Sequence, residues 1–309
     1  MVMIFMNGAL IQKTGKISKT GLNFLSKKGL KIFLLKKLLC TFICCVSMFW
    51  SGMFTPSIAS EKADTSKTGH FSVGIGWEML KYSEHEPDTH LDSEADVSSW
   101  VMELDAFKQW TNIFCGVKGI IPVHRVDDSE EWRTSDILIQ QNSLEYGWSR
   151  IDAFLGYRLK SFFNPYIGLR WSESEQERIE FVVLGTPVAG SATEKVTSWL
   201  INIGIRGNIL LNSKWRLYYS GSYFEPISSE VDNSNLPGWE VTDTGGYMFE
   251  FESQAEYVYT ERVSFLFTLY GGKMHWNGSD WTSYAIRSIK WPENDTRFLG
   301  CILNVRWSF

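Results

Sequence analysis

The chain has 309 residues, 30 Lys+Arg against 35 Asp+Glu, a net charge of −5 and 15% aromatic residues, 14 of them Trp. The charge is unevenly spread: residues 1–59 hold eight lysines and no acid, so the remainder carries 22 − 35 = −13, which excludes a nucleic-acid partner. Mean hydropathy is slightly negative and no stretch of eighteen apolar residues follows residue 60, so that part is not a helical membrane protein.

Lys27, Lys28, Lys31, Lys36 and Lys37 precede an apolar run from Leu38 to about Phe54, and Ser57 and Ala59 form a small-x-small cleavage site. The pattern predicts a Sec-type signal peptide over 1–59, with a long leader, cut near Ala59. A membrane anchor is the alternative for an apolar run of that length. Residues 60–68 read as a polar lead-in and 69–309 as the folded domain.

From residue 70 onward the sequence alternates with period 2, the sign of strands with one apolar and one polar face. In the first strand Phe71, Val73, Ile75, Trp77 and Met79 alternate with His70, Ser72, Gly74, Gly76 and Glu78. An acidic stretch, 83–97, reads as a loop. The second strand, about 98–109, sets Trp100, Met102, Leu104 and Ala106 against Glu103, Asp105 and Phe107. The third sets Ile113, Cys115, Val117 and Ile121 against Phe114, Gly116 and Lys118, and a polar loop spans about 123–143. In the fourth, about 144–159, Ile151, Ala153, Leu155, Tyr157 and Leu159 oppose Asp152, Phe154 and Arg158. Tyr146 and Trp148 break that parity and suggest a bulge.

Ile167, Leu169 and Trp171 oppose Arg170 in the fifth strand, and 174–195, with Gly185, Pro187 and Gly190, reads mostly as loop. Strands six and seven carry Trp199, Ile201, Ile203 and Ile205 against Arg206, then Trp215, Leu217, Tyr219 and Tyr223 against Arg216. A loop follows over 226–244. Strand eight opposes Phe249, Phe251 and Tyr257 with Glu250, Glu252 and Glu256. Strand nine opposes Val263, Phe265, Phe267 and Leu269 with Arg262, and 275–295 is the last loop. The tenth strand places Leu299, Cys301, Leu303, Val305, Trp307 and Phe309 on one face and ends the chain on an aromatic residue.

This ending, Val305-Arg306-Trp307-Ser308-Phe309, resembles the closing strand of bacterial outer-membrane β-barrels. In those proteins the terminal Phe is read by the assembly machinery. That resemblance makes Trp307 and Phe309 the assembly signal, and outer-membrane lipid and lipopolysaccharide the surroundings. The connections alternate long and short, as in barrels with short periplasmic turns and long extracellular loops. The expected fold is all-β: an antiparallel up-and-down transmembrane barrel of ten strands, with eight or twelve as alternatives, in the outer membrane of a Gram-negative cell.

Outward apolar parity puts Glu78, Glu103, Asp105, Lys118, Asp152, Arg158, Arg170, Arg206, Arg216, Glu250, Glu252, Glu256, Arg262 and Arg306 inside. A ten-stranded lumen is only slightly wider than one filled by side chains. Seven acids and seven bases there are expected to pair and plug it. A narrow charge-lined conduit is the open alternative. Cys115 and Cys301 both face outward, on strands that are not neighbours.

Ten strands and this length also resemble the omptins, outer-membrane endoproteases that set an Asp-Asp pair against an Asp-His pair across the extracellular mouth. Asp88-Thr89-His90 supplies an Asp-x-His string and Glu103-Leu104-Asp105 an acid pair. Under that resemblance Asp88 orients and His90 is the base. The acid pair holds Glu where the family has Asp, and 226–244, where the family's Asp-His pair belongs, has no His. A lipid-A-modifying barrel, using His124, His275 or a loop serine, is the other enzyme class. Glu84, His85, Glu86, Asp88, His90, Asp92, Glu94 and Asp96 are dense in metal-ligand types, but a solvated acidic loop is expected, with no metal and no cofactor. The leading expectation is a non-enzymatic barrel serving envelope structure, surface interaction or limited solute passage.

Overall fold

The computed structural model describes residues 10–12, 67–284 and 287–309. The signal peptide, its cleavage site and most of the lead-in lie outside the described residues, apart from Leu10–Gln12, a short strand paired with Arg287–Lys290. Ten long strands follow. They are β1 (Lys67–Glu86), β2 (Leu91–Trp110), β3 (Ile113–Val126), β4 (Ile137–Tyr157) and β5 (Asn164–Val183). After them come β6 (Thr186–Leu210), β7 (Trp215–Asn233), β8 (Gly246–Val258), β9 (Val263–Trp276) and β10 (Glu293–Ser308).

Each strand pairs antiparallel with its chain neighbour, and β10 returns to β1 with Glu293 opposite His85 and Ser308 opposite His70. The ring is therefore closed, which removes the edges that an open sheet exposes. Asp128–Thr134 adds a short strand between β2 and β4, and Glu240–Thr242 one beside β7. Both chain-end strands and the short turns, such as Thr111-Asn112, lie at one end, which is the periplasmic end of an outer-membrane barrel.

A tilted strand crosses the hydrocarbon in about 9–11 residues. β6 has 25 residues and β1, β2 and β5 have 20 each, so about half of each stands clear of the lipid. This corrects the loops expected at 83–97, 123–143 and 174–195 and shortens the one at 226–244, where β7 runs on to Asn233. β1 runs on to Glu86, a turn at residues 87–90 reverses it, and β2 starts at Leu91. β5 and β6 meet at a two-residue turn, Leu184-Gly185. The outer half of each strand has water on its outer side, so its residues there are polar and the lipid-facing stripe that marks a membrane strand is missing.

The alternation runs unbroken through Tyr146 and Trp148. They are buried on the same inward face as Arg150 and Asp152, and β4 shows no register shift beside them. The expected bulge is thus corrected: both rings fill the interior. The interior at that height is apolar, with Leu80, Val97, Val101, Leu144, Leu200, Phe224, Val231, Met274 and Phe298 in one cluster.

Candidate functional site

The lumen and its extracellular mouth hold the buried charges, so the candidate site is built from the periplasmic end upward. There Arg306 on β10 reaches Glu256 on β8 at 3.3 Å, Tyr218 donates to the same carboxylate at 2.9 Å, and Arg216 lies 3.8 Å away, half exposed. His70 and Asp105 face each other at 3.0 Å. The Arg206 guanidinium stacks among Phe107, Phe114 and Phe154, 4.8–5.5 Å from the ring centres, a cation held on aromatic faces.

The next layers are cross-lumen bridges. Lys118 on β3 lies 3.0 Å from Glu103 on β2 and also contacts Glu252 on β8. Arg170 on β5 makes a two-toothed pair with Asp152 at 2.6 and 2.8 Å and another with Glu250 on β8 at 2.9 and 3.1 Å. Arg150 on β4 holds Glu78 on β1 at 2.6 and 3.3 Å, its guanidinium 4.1 Å from the Trp148 ring centre. Planar guanidinium forks suit such paired recognition of carboxylates. A cavity of about 60 Å³ remains among these groups, lined by Asp105, Arg170, Arg206 and Glu250 among others. That is room for a few waters.

Above the apolar cluster the mouth holds a second buried set. Arg178 on β5 donates twice to Glu130 at 2.6 and 3.0 Å and once to Glu84 at 2.9 Å. Asn142 donates to Glu130 at 2.8 Å, and the Trp291 indole to Glu194 at 3.1 Å. Two carboxylates thus share one guanidinium away from water, and Glu194 is buried in the same mouth on the Trp291 indole. Burial pushes Glu84 up to about 8, with Arg178 offsetting only part of it, and burial raises Glu194 as well. Burial acts on Glu130 too, but Arg178 and the Asn142 amide outweigh it and hold its carboxyl below the usual range.

Of the fourteen residues expected in the lumen, the structure brings Glu78, Glu103, Asp105, Lys118, Asp152, Arg170, Arg206, Glu250, Glu252, Glu256 and Arg306 into these layers, with Arg216 at their rim. Arg158 and Arg262 are corrections: both are exposed at the short turns, beyond the end of β4 and ahead of β9, where the inward parity no longer points into the barrel. Sequence reasoning missed Arg150, Arg178, Glu84, Glu130 and Glu194. Arg150 shares parity with Asp152 inside the expected fourth strand, so carrying that parity back through Trp148 without a bulge finds it. Arg178 and its acids lie on separate strands with no local signal.

Asp88 and His90 lie in the exposed turn after β1, and Asp88 faces Lys290 at 3.6 Å, not His90. The acid–histidine contacts are elsewhere: His70–Asp105 at the periplasmic end, and His85–Asp92 and His275–Asp295 on the outer wall. The first-loop ligand types are split by the alternation, Glu84 and Glu86 inward, His85, Asp92, Glu94 and Asp96 outward. Among the described residues no group of three His, Cys, Asp or Glu is placed to hold a metal ion. Trp307 is outward and half exposed, and Phe309 closes the barrel by backbone bonds with Gly69 at 2.9 and 3.0 Å.

A closed ring of antiparallel strands with an apolar outer band is the fold of bacterial outer-membrane β-barrels, and a solved structure shares it. The outer membrane protease OmpT of Escherichia coli superposes with a TM-score of 0.59 at 9% identity, over 82% of this chain and 100% of that one. The outer membrane protein OprG of Pseudomonas aeruginosa gives 0.33 at 10% identity, over 79% and 97%. The toluene transporter TodX of Pseudomonas putida gives 0.31 at 9%, over 80% and 90%. At such identities the likeness is one of fold. No family model matches the chain. No curated protein sequence matches it either.

Proposed function

We propose that this protein is a closed, non-conducting outer-membrane barrel that acts through the part standing outside the lipid, as a surface-interaction or envelope-structure protein. The observation that carries this is the set of cross-lumen pairs, Lys118 to Glu252, Arg150 to Glu78, Arg170 to Glu250 and Arg178 to Glu84. Each ties non-neighbouring strands across the path a solute would take. Separating such a buried pair leaves two charges unsolvated, so each pair is a standing barrier to solute passage. An endopeptidase or lipid-modifying reading lacks support because, among the described residues, the upper acid–histidine pairs, His85–Asp92 and His275–Asp295, lie on the outer wall and not inside the mouth. The closing strand, with Trp307 and Phe309 outward, is the segment offered to the assembly machinery.

Planar-bilayer recording of the purified protein is the test. Silence across a range of potentials is expected; reproducible conductance steps sink the closed-barrel reading.

A further inference from the structure

On three adjacent strands the lipid-facing stripe ends at a cation. The outward residues run from Phe71 to Met79 on β1, from Trp307 back to Leu299 on β10, and from Phe265 through Leu269 to Gly271 on β9. The next outward residues are Lys81, Arg297 and Lys273. The ladders set them in one row, with Lys81 directly opposite Arg297 and Arg297 directly opposite Lys273. Neighbouring strands lie ~4.8 Å apart, so the three cations fall within about 10 Å of sheet. The row continues into Phe249 and Tyr223, aromatic residues of the kind a barrel keeps at the headgroup level. The end of the stripe and the aromatic residues thus agree on where the row stands: at the outer edge of the hydrocarbon.

Like charges directly opposite on neighbouring strands destabilise a sheet, and the acids at hand offset only part of this row. Lys81 pairs with Glu94, Lys273 pairs with Asp295 at 2.9 Å, and Asp96 lies opposite Lys81 on β2. Glu94 and Asp295 belong to the next row out, both opposite Ser83, so each lysine turns away from the membrane to reach its acid. Both pairs are solvent-exposed, where ion pairs are weak, and Asp295 is shared with His275 at 3.0 Å. Arg297 stands exposed between the two lysines, and among the described residues no carboxylate pairs with it. On β2, β4, β5 and β6 the first outward residues above the stripe are Ser98, Ser149, Glu173 and Thr197. The cations on that side, Arg125 and Lys195, are matched by Glu175 and Glu173 at 3.0 and 2.9 Å. At the membrane edge, unmatched positive charge is therefore a feature of the β9–β10–β1 face.

We propose that this row binds the headgroup phosphates of an outer-leaflet glycolipid, with the Arg297 guanidinium fork on a phosphate and Lys81 and Lys273 flanking it. The fold itself supplies the occupant's position, because a membrane barrel has lipid headgroups around it at this height and no further partner has to be recruited. Charge selects the kind of lipid. A phosphomonoester carries about −1.5 to −2 at pH 7, so a headgroup with two of them matches a row of three cations, whereas a phosphodiester headgroup brings one charge. The bound phosphates relieve the repulsion along the row and leave Glu94 and Asp295 to the water side. The inference is independent of whether the lumen conducts.

The experiment titrates the purified barrel in a non-ionic detergent and reads bound lipid by native mass spectrometry. The probes are diphosphoryl lipid A, phosphatidylglycerol as the singly charged lipid, and inorganic phosphate as the free anion. The wild type is expected to hold lipid A at least tenfold more tightly than phosphatidylglycerol, with inorganic phosphate failing to displace it. Arg297→Gln is expected to weaken lipid A binding severalfold, and Lys81→Gln, Arg297→Gln and Lys273→Gln together at least tenfold. Arg133→Gln with Lys195→Gln, cations of the outer wall away from the row, is expected to leave it within twofold. All five side chains reach the outer surface, and the heat-dependent gel shift of a folded barrel verifies that each variant has assembled. A triple variant that binds lipid A as tightly as wild type overturns the proposal. So does an equal loss in the Arg133/Lys195 variant, which reduces the attraction to net charge. Equal wild-type affinity for phosphatidylglycerol, or displacement by inorganic phosphate, shows a row that takes any anion and overturns it as well.

Discussion

The two halves of the same strands are inside-out relative to each other. In the lower half of β1 the outward residues are Phe71, Ile75 and Met79 and the inward one is Glu78; in the upper half Lys81 and His85 face out, and Leu80 and Tyr82 face in. β2 turns over in the same way, from Leu104 and Trp100 out with Glu103 in, to Asp96 and Glu94 out with Val97 and Ala95 in. β4 repeats it between Ile151 and Glu145 on the outside, and between Asp152 and Leu144 on the inside. In these three strands the parity holds throughout; the solvent outside changes. Where lipid surrounds the wall, polar groups retreat into the lumen and pair. Where water surrounds it, the lumen becomes an ordinary apolar core. One chain thus carries two stabilising schemes on a continuous sheet, and each has its own way to fail.

The lower scheme fails when a pair is halved. Arg150→Ala leaves Glu78 buried without a partner and is expected to cost about 3–5 kcal/mol, read as a lowered urea midpoint of the folded band in detergent. Arg150→Met with Glu78→Leu removes both charges and is expected to recover most of that loss. If the single and double variants unfold together, the pair is not what holds the lower lumen. A smaller contrast lies on the outer wall. Leu303→Arg, on the lipid face of β10, is expected to cost about 2–4 kcal/mol. Glu177→Arg, outward on β5 above the lipid, is expected to stay within about 0.5 kcal/mol. Equal costs at the two positions place the lipid boundary wrongly.

The same inversion explains what the sequence let a reader see. The lower strands were legible because large apolar residues alternate with Gly and charge, as in Phe71 to Met79 and Leu299 to Phe309. The upper strands alternate too, but Ser93 and Ala95 between Leu91 and Val97 are small or weakly apolar against Asp92, Glu94 and Asp96, and the acids read as a loop. Pro187 and Gly190 read as turn signals, although both lie within β6, near its start at the barrel tip. Within the site, the lower lumen followed from parity carried along each strand. The mouth did not: Arg178 meets Glu84 from β1 and Glu130 from a seven-residue strand, and only closure of the barrel brings them together.

The upper scheme carries a titration. Arg178 serves Glu130 first, and Glu84 and Glu194 are left with a raised affinity for a proton. Glu84, raised by burial to about 8 from an ordinary 4.5, binds a proton in the folded state that the unfolded chain gives up near pH 4.5. The stability it contributes is therefore fully present below about pH 4.5 and is lost as pH rises toward about 8. One such proton gives a slope of about 1.4 kcal/mol per pH unit at most. Glu194 is displaced in the same direction, so Glu84→Gln is expected to flatten the decline between pH 5 and 8 and the pair Glu84→Gln with Glu194→Gln to remove it. Urea midpoints at pH 5, 6.5 and 8 measure this. A wild type whose stability rises over that range reverses the sign and refutes the assignment of protons to these two acids. If the double glutamine variant keeps the full slope, the protons reside elsewhere, and the mouth is not the part of the upper half that responds to pH.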